Sequence, residues 1–201
     1  MRKLRRSFYA RPAIEVAPDL IGKILVHRVD NALRRARIVE TEAYIGQHDL
    51  ASHSSKGRTP RTEVMFGPPG HAYVYFIYGM YEMFNIVVSK IDDAQAVLIR
   101  AAEPLDGWAA DLSGPGKLTR AMAITRRAHK GLDLTGDTLF VMADANDPPR
   151  ILATPRIGVD YAGEWRHAPL RFIHADSRAV SKTRVAPSGL IQPAKTPRKK
   201  P

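Results

Sequence analysis

Lys23-Ile24-Leu25-Val26-His27-Arg28-Val29, then Asp30-Asn31, then Arg35-Ala36-Arg37-Ile38-Val39-Glu40-Thr41 is the stretch on which the fold class turns. Both flanking runs are rich in β-branched residues. The Asp-Asn pair between them is a turn signal, so the stretch predicts an antiparallel hairpin. Working outward, residues 72–77 and 84–89 are aromatic and β-branched, and residues 96–101 form a short apolar run suited to a buried strand. Residues 138–143, 156–159 and 170–173 read as further strands. The clearest helix opens at Ser113 as N-cap, with Pro115 in its first turn. It is expected to reach about Thr125, with Leu118, Met122 and Thr125 on one face. A short helix is expected near Pro18 to Gly22. Strands that follow strands without regular helical crossovers give an α+β class: a single mixed domain rather than a doubly wound sheet.

A chain of 201 residues suits one domain with tails, and 44% hydrophobic residues suffice for a core. No apolar run approaches the roughly 18 residues of a membrane span, and the polar, basic start is not a secretory h-region. With no cysteine there is no thiolate nucleophile, disulfide or cysteine metal site. A cytoplasmic location is expected. The net charge of +11 is concentrated at the ends. Residues 1–12 carry five basic residues and no acid, and residues 177–201 carry seven and no acid, which leaves the body at −1. Basic ends of this kind fit a polyanion, and they equally fit a solubilising role. The expected organisation is a basic segment over 1–12, a domain over 13–184, and a Pro/Lys/Arg-rich tail over 185–201. The tail has too few apolar residues to repay ordering.

The chemistry-bearing residues cluster. On a strand, Glu40 and Glu42 share a face. A partly buried carboxylate at a strand end can act as general base on water, and two glutamates on a strand also describe a solvated face. His53 lies in a polar loop. The histidines show no HxH or HExxH spacing, so no metal site is expected. Four of the seven tyrosines fall within residues 73–81. Gly79 marks a turn, which puts Tyr78 and Met80 at or near its tip. An aromatic tip can wedge into a base stack, and an aromatic on the adjoining face can stack on an extruded base; a core with phenols at its rim is the alternative. Asn85 and Arg100 suit a pocket better than a core. Outside a pocket, Arg100 needs a buried carboxylate partner, with Glu103 the candidate. Residues 113–132 contain no acid. There, Lys117 beside Gly114-Pro115-Gly116 and Arg120 on the helix offer phosphate contacts, or a solvated face. The stretch is not a P-loop, so no nucleotide cofactor is expected.

Several motifs occur in order: Val39-Glu40-Thr41-Glu42-Ala43-Tyr44, Ser52-His53-Ser54, Arg58-Thr59-Pro60-Arg61 and Met65-Phe66. They continue with Tyr73-Val74-Tyr75, Tyr78-Gly79-Met80-Tyr81, Asn85 and Val97-Leu98-Ile99-Arg100-Ala101-Ala102-Glu103-Pro104. Gly114-Pro115-Gly116-Lys117-Leu118, Pro155-Arg156-Ile157-Gly158 and Pro169-Leu170-Arg171-Phe172 complete the series. With these residues the chain resembles the alkyladenine (3-methyladenine) DNA glycosylase family from about Pro18 to Phe172. The resemblance implies a curved antiparallel sheet flanked by helices, and water as nucleophile, without cofactor or strand cleavage. It implies Glu42 as general base, with Arg100 and the Ile157 carbonyl holding the water. Tyr44, His53 and Tyr75 are implied as base-pocket walls, and Asn85 as the residue that disfavours guanine. Tyr78 is implied as the intercalating wedge, with Met80 beside it. The implied partner is duplex DNA with alkylated or deaminated purines, bound by a monomer. Two other functions are weighed: a non-catalytic nucleic-acid binder, which gives Glu42 no role, and a nucleoside hydrolase, which needs no wedge.

Overall fold

The computed structural model describes residues 2–30, 32–144, 148–181 and 190–191. Two short helices open the chain, α1 (Arg6–Tyr9) and α2 (Ala13–Leu20). Ala13, Val16, Ala17 and Leu20 follow helical spacing, and all four are buried. That stripe sets the real extent of α2, which the sequence reading placed near Pro18 to Gly22. Pro18 instead lies inside the helix, and Gly22 follows it with φ +84°.

The expected hairpin is present as β1 (Ile24–Val29) and β2 (Ala32–Tyr44), paired antiparallel with Val29 opposite Ala32. Asn31 of its turn lies outside the described residues. The next strands are β3 (Ala72–Ile77), β4 (Tyr81–Val88) and β5 (Gln95–Pro104). After helices α3 (Pro115–Ala121) and α4 (Arg126–His129) come β6 (Leu139–Met142), β7 (Ile151–Thr154), β8 (Arg171–His174) and β9 (Leu190–Ile191). Among the described residues the strands join one curved antiparallel sheet in the order β3-β4-β5-β2-β8-β7-β9, with β1 bridging β2 and β6. The α+β class read from the sequence is therefore the observed one. Of the stretch expected to form a disordered tail, Leu190 and Ile191 pair with Leu152 and Ile151 of β7. The remaining residues from 182 onward lie outside the described residues.

β2 organises the sheet. One edge pairs along its length with β5. The other edge pairs first with β1, through Ala32–Arg37, and then with β8, through Glu40–Glu42. The change of partner coincides with a double slip in the β2–β5 ladder, where Ile38 faces Ala102, Glu40 faces Ala101 and Thr41 faces Ile99. Val39 and Arg100 are each left without an opposite residue. Such bulges bend a strand and re-aim its side chains. Before the slip Ala36 and Ile38 join the main core; after it Ala43 does, and Thr41 Oγ1 donates to the Ala17 carbonyl of α2 at 2.9 Å. The slip thus turns Glu40 and Glu42 away from the α2 side.

Two further expectations are corrected. The strand expected over 156–159 lies instead at Ile151–Thr154. Pro155 cannot donate to a ladder and Gly158 takes φ +74°, so the chain leaves the sheet there. The helix expected from Ser113 to Thr125 starts after Gly114 and ends at Ala121. Ala123 adopts φ +55°, and Thr125 starts a separate turn by accepting the Ala128 N–H at 3.3 Å. The N-terminal segment is docked. Lys3 bridges to Met142, the Leu4 N–H donates to the Val141 carbonyl at 2.8 Å, and Tyr9 is fully buried.

Candidate active site

The bulged centre of β2 and β5 holds two carboxylates and a guanidinium away from water. Glu40 and Glu42 are fully buried, and Arg100 nearly so. Arg100 Nε donates to Glu40 Oε1 at 2.9 Å, and its Nη1 lies 3.3 Å from Glu42 Oε1. Arg100 lines a cavity, and Glu103, its candidate partner outside a pocket, accepts instead from Ser177 Oγ at 2.6 Å. Arg100 is the bulged residue of β5, and the bulge aims it at the β2 glutamates. Glu42 Oε1 also accepts the Ile157 N–H at 2.8 Å, and Oε2 accepts the Tyr44 hydroxyl at 2.9 Å. Burial, then the Glu42 charge, pushes the Tyr44 phenol well above its ordinary value, so it stays a donor.

In front of this group opens a cavity of about 350 Å³, within the size range of small-molecule sites. Tyr44, Arg100 and Ile157 form its back, and Glu42 sits one layer behind them. His53, Tyr73, Tyr75 and Asn85 line it as well. The His53 and Tyr75 rings meet edge to face with centroids 4.5 Å apart, and His53 Nδ1 lies 3.0 Å from the Tyr73 hydroxyl. Burial, helped by the Arg61 charge, lowers His53 to about 4, so its ring is neutral near neutral pH. The Arg61 guanidinium itself lies 5.4 Å from the centre of the Tyr75 ring. Asn85, opposite Tyr73 in the β3–β4 ladder, donates to the Tyr73 carbonyl at 3.1 Å. Its amide is therefore fixed at the wall.

Tyr44 is braced from outside the cavity. Arg156 and Asp49 form a fully buried pair, with contacts of 2.5 and 2.8 Å, and Arg156 also donates to the Ala43 carbonyl at 2.8 Å. The same guanidinium lies 4.8 Å from the centre of the Tyr44 ring.

The mouth is framed by exposed aromatics. Tyr78 is 84% exposed at the β3–β4 tip and Met80 is 62% exposed beside it. Tyr78 and Gly79 adopt φ +50° and +66°, and the Met80 N–H closes the turn on the Ile77 carbonyl at 3.1 Å. A tyrosine at positive φ is uncommon. Tyr161, 70% exposed, also lines the cavity, and its hydroxyl donates to the Ala51 carbonyl at 3.3 Å. On α3, Lys117 is exposed and pairs with Asp111 at 2.7 Å, and Arg120 is exposed in the last turn.

The structure thus gathers Glu42, Arg100, Ile157, Tyr44, His53, Tyr75, Asn85 and Tyr78 around one cavity, with Met80 at the same tip. Lys117 and Arg120 are exposed on α3 and do not line the cavity, although Pro115 of that helix does. For Ile157 the observed contact to Glu42 is made by its N–H. Sequence reasoning missed Tyr161, the Asp49–Arg156 brace and the partners of Glu40. Asp49 and Tyr161 lie in irregular segments where no period marks a facing side. Arg156 stood within a quoted motif, but without a role.

The family model described as methylpurine-DNA glycosylase matches residues 7–178. A protein of Anaeromyxobacter sp. (strain Fw109-5), named "Putative 3-methyladenine DNA glycosylase", is 52% identical over 90% of this chain and 93% of its own length. A protein of the same name from Legionella pneumophila (strain Corby) is 51% identical over 91% of this chain and all of its own. One from Methanocella arvoryzae is 49% identical over 90% of this chain and 97% of its own. The chain belongs to the methylpurine-DNA glycosylase family. Among the described residues no helix is long and apolar enough to cross a membrane.

Proposed function

We propose that the protein is a monofunctional glycosylase acting on alkylated purines in duplex DNA: 3-methyladenine, 7-methylguanine and, more widely, hypoxanthine and ethenoadenine. The observation that carries this reading is the buried Glu42 carboxylate behind a cavity walled by Tyr44, His53 and Tyr75, with an exposed tyrosine at its mouth. Tyr78 enters the stack in place of the nucleotide that turns into the cavity, and Met80 contacts the same gap. Stacked aromatic faces favour a cationic base. The neutral His53 ring does not oppose it. Asn85 crowds the position that a guanine 2-amino group takes.

Glu42 acts as general base. A carboxylate offers about four acceptor sites. Here Oε1 faces the Ile157 N–H and Arg100, and Oε2 takes the Tyr44 hydroxyl, so one site on Oε2 remains for a proton from water. Arg100 and the Ile157 backbone hold that water. Its oxygen bonds to the sugar carbon as the glycosidic bond breaks, its proton passes to Glu42, and the bond's electron pair leaves with the base. The nearby carboxylate also stabilises the positive charge developing on the sugar. An abasic site is left, as base excision repair requires. Lys117 and Arg120 contact the phosphate backbone.

The test is release of bases from methylated duplex DNA, without added metal, by the protein and by Glu42→Gln. Wild type is expected to release 3-methyladenine. Glu42→Gln is expected to bind the duplex and lose at least about a hundredfold in rate, the scale of a general base. Full activity in Glu42→Gln removes that residue from the mechanism. Tight duplex binding by a wild type that releases no base favours the alternative, a non-catalytic nucleic-acid binder.

A further inference from the structure

We infer that Glu40 is a positioning residue: it holds Arg100 by Nε, so that Arg100 grips Glu42 through one nitrogen and leaves Glu42 Oε2 open to water. The inference rests on the proposed role of Glu42 and adds a residue to it.

Glu40 lies two residues before Glu42, on the same side of the bulged strand, and is fully buried. Its Oε1 accepts Arg100 Nε at 2.9 Å and Arg171 Nε at 2.6 Å, and its Oε2 accepts the Ser181 N–H at 2.6 Å. Arg171, also fully buried, directs Nη1 to Thr154 Oγ1 at 3.2 Å. Burial alone raises a carboxyl, but Arg100, Arg171 and the Ser181 N–H outweigh it and hold Glu40 below its ordinary range. Two carboxylates and two guanidiniums therefore form a balanced buried group, and Glu40 is shared by both cations.

Geometry makes the arrangement consequential. An arginine grips a carboxylate most strongly with two parallel N–H groups. With Nε held on Glu40, the guanidinium is turned so that Nη1 is the nitrogen near Glu42, at 3.3 Å. Nε–H and Nη1 point to opposite sides of the guanidinium, so the Glu40 contact fixes how the group is turned; removing the Glu40 charge frees it to turn, and the stronger pairing then open to Arg100 is a two-nitrogen grip on Glu42, through Nη2 with either Nε or Nη1. That grip occupies Oε2, the atom with a site left for the proton of water. Glu40 thus keeps Arg100 close without letting it close over the base. Glu42 is faced by Arg100 from β5, by Glu40 and Tyr44 from β2 and by the Ile157 N–H. Tyr75, Arg156 and Tyr161 act on it at longer range.

The test pairs turnover with structure. Glu40→Gln is compared with wild type in single-turnover base release from methylated duplex across pH, with duplex affinity alongside. The expected result is a plateau rate lower by about tenfold or more, on the scale of general-base effects. Affinity should stay within about threefold. A crystal structure of E40Q is expected to show Arg100 turned, with two of its nitrogens within hydrogen-bond distance of Glu42. An unchanged rate, a loss of duplex affinity in step with the rate, or an unmoved Arg100 overturns the proposal. A wild type that releases no base overturns the glycosylase reading instead, and the crystal structure still decides what Glu40 does to Arg100. If Glu40→Gln alone does not fold, the double variant Glu40→Gln/Arg171→Met, which removes the stranded cation too, is read by the same outcomes.

Discussion

Arg156 ties two parts of the site together: it neutralises Asp49 in the interior and braces the Tyr44 ring from behind. Breaking a buried pair from one side leaves an uncompensated charge, which costs about 3–5 kcal/mol. Arg156→Met is therefore expected to lose stability of that order in chemical denaturation, and Asp49→Asn/Arg156→Met to recover part of it. A loss below about 1 kcal/mol in the single variant, the range of an exposed pair, refutes the brace. His53 supplies a pH dependence. Its folded value of about 4 lies below the ordinary 6.5, so between those values the unfolded chain binds more protons. This contribution is fully present above about pH 6.5 and is lost as pH falls toward 4. His53→Gln should flatten the stability profile in that window, and a variant profile that falls as steeply as wild type refutes the assignment. Neither effect is visible in the sequence, where His53 is one loop histidine among seven and Asp49 carries no pattern.

At the level of elements, the β3–β4 hairpin holds its exposed tyrosine in a left-handed turn, a conformation costing about 1–2 kcal/mol for an ordinary residue. The ring is in solvent, so core packing does not repay that cost. Asparagine tolerates the conformation better. Tyr78→Asn is thus expected to keep or raise the melting temperature while weakening lesion-duplex affinity about tenfold or more, on the scale of a lost base–aromatic stack. Unchanged affinity refutes the wedge. The hairpin was legible because its aromatic run and Gly79 are local signals, and β3 spans the residues expected. The β2–β5 bulge was not. Alternation put Glu40 and Glu42 on one face, and so it proved, but unbroken alternation from Ile38 puts that face against α2. Only the cross-strand register shows the slip at Val39 and Arg100 that turns it toward the cavity. Glu103 was the candidate partner for Arg100 outside a pocket; Arg100 lines the cavity and pairs with Glu40 and Glu42, a choice that the same register makes.

Across the molecule, charge and fold divide differently from the way sequence position suggests. Lys3 pairs with Asp137, Arg6 with Asp133 and Arg11 with Asp19, so three of the five cations in residues 1–12 meet acids of the domain. With Tyr9 in the core, deletion of residues 1–12 is expected to lower the melting temperature markedly. Residues 192–201 carry Lys195, Arg198, Lys199 and Lys200 without an acid. Their removal is expected to reduce the log–log salt slope of duplex binding, by about 0.9 for each phosphate that they neutralise. An unchanged slope makes them bystanders. By itself the sequence determined the α+β class, the β1–β2 hairpin, the aromatic tip and the candidate residues from Glu42 to Ile157, because alternation, turn residues and ordered motifs are properties of neighbours along the chain. Which carboxylate Arg100 answers to, that the Ile157 N–H meets Glu42, and that Arg156 stands behind Tyr44 were decided only by the tertiary structure. Each depends on register between strands and on loops packing across large sequence distances, where burial and charge pairing choose among partners that local patterns leave equivalent.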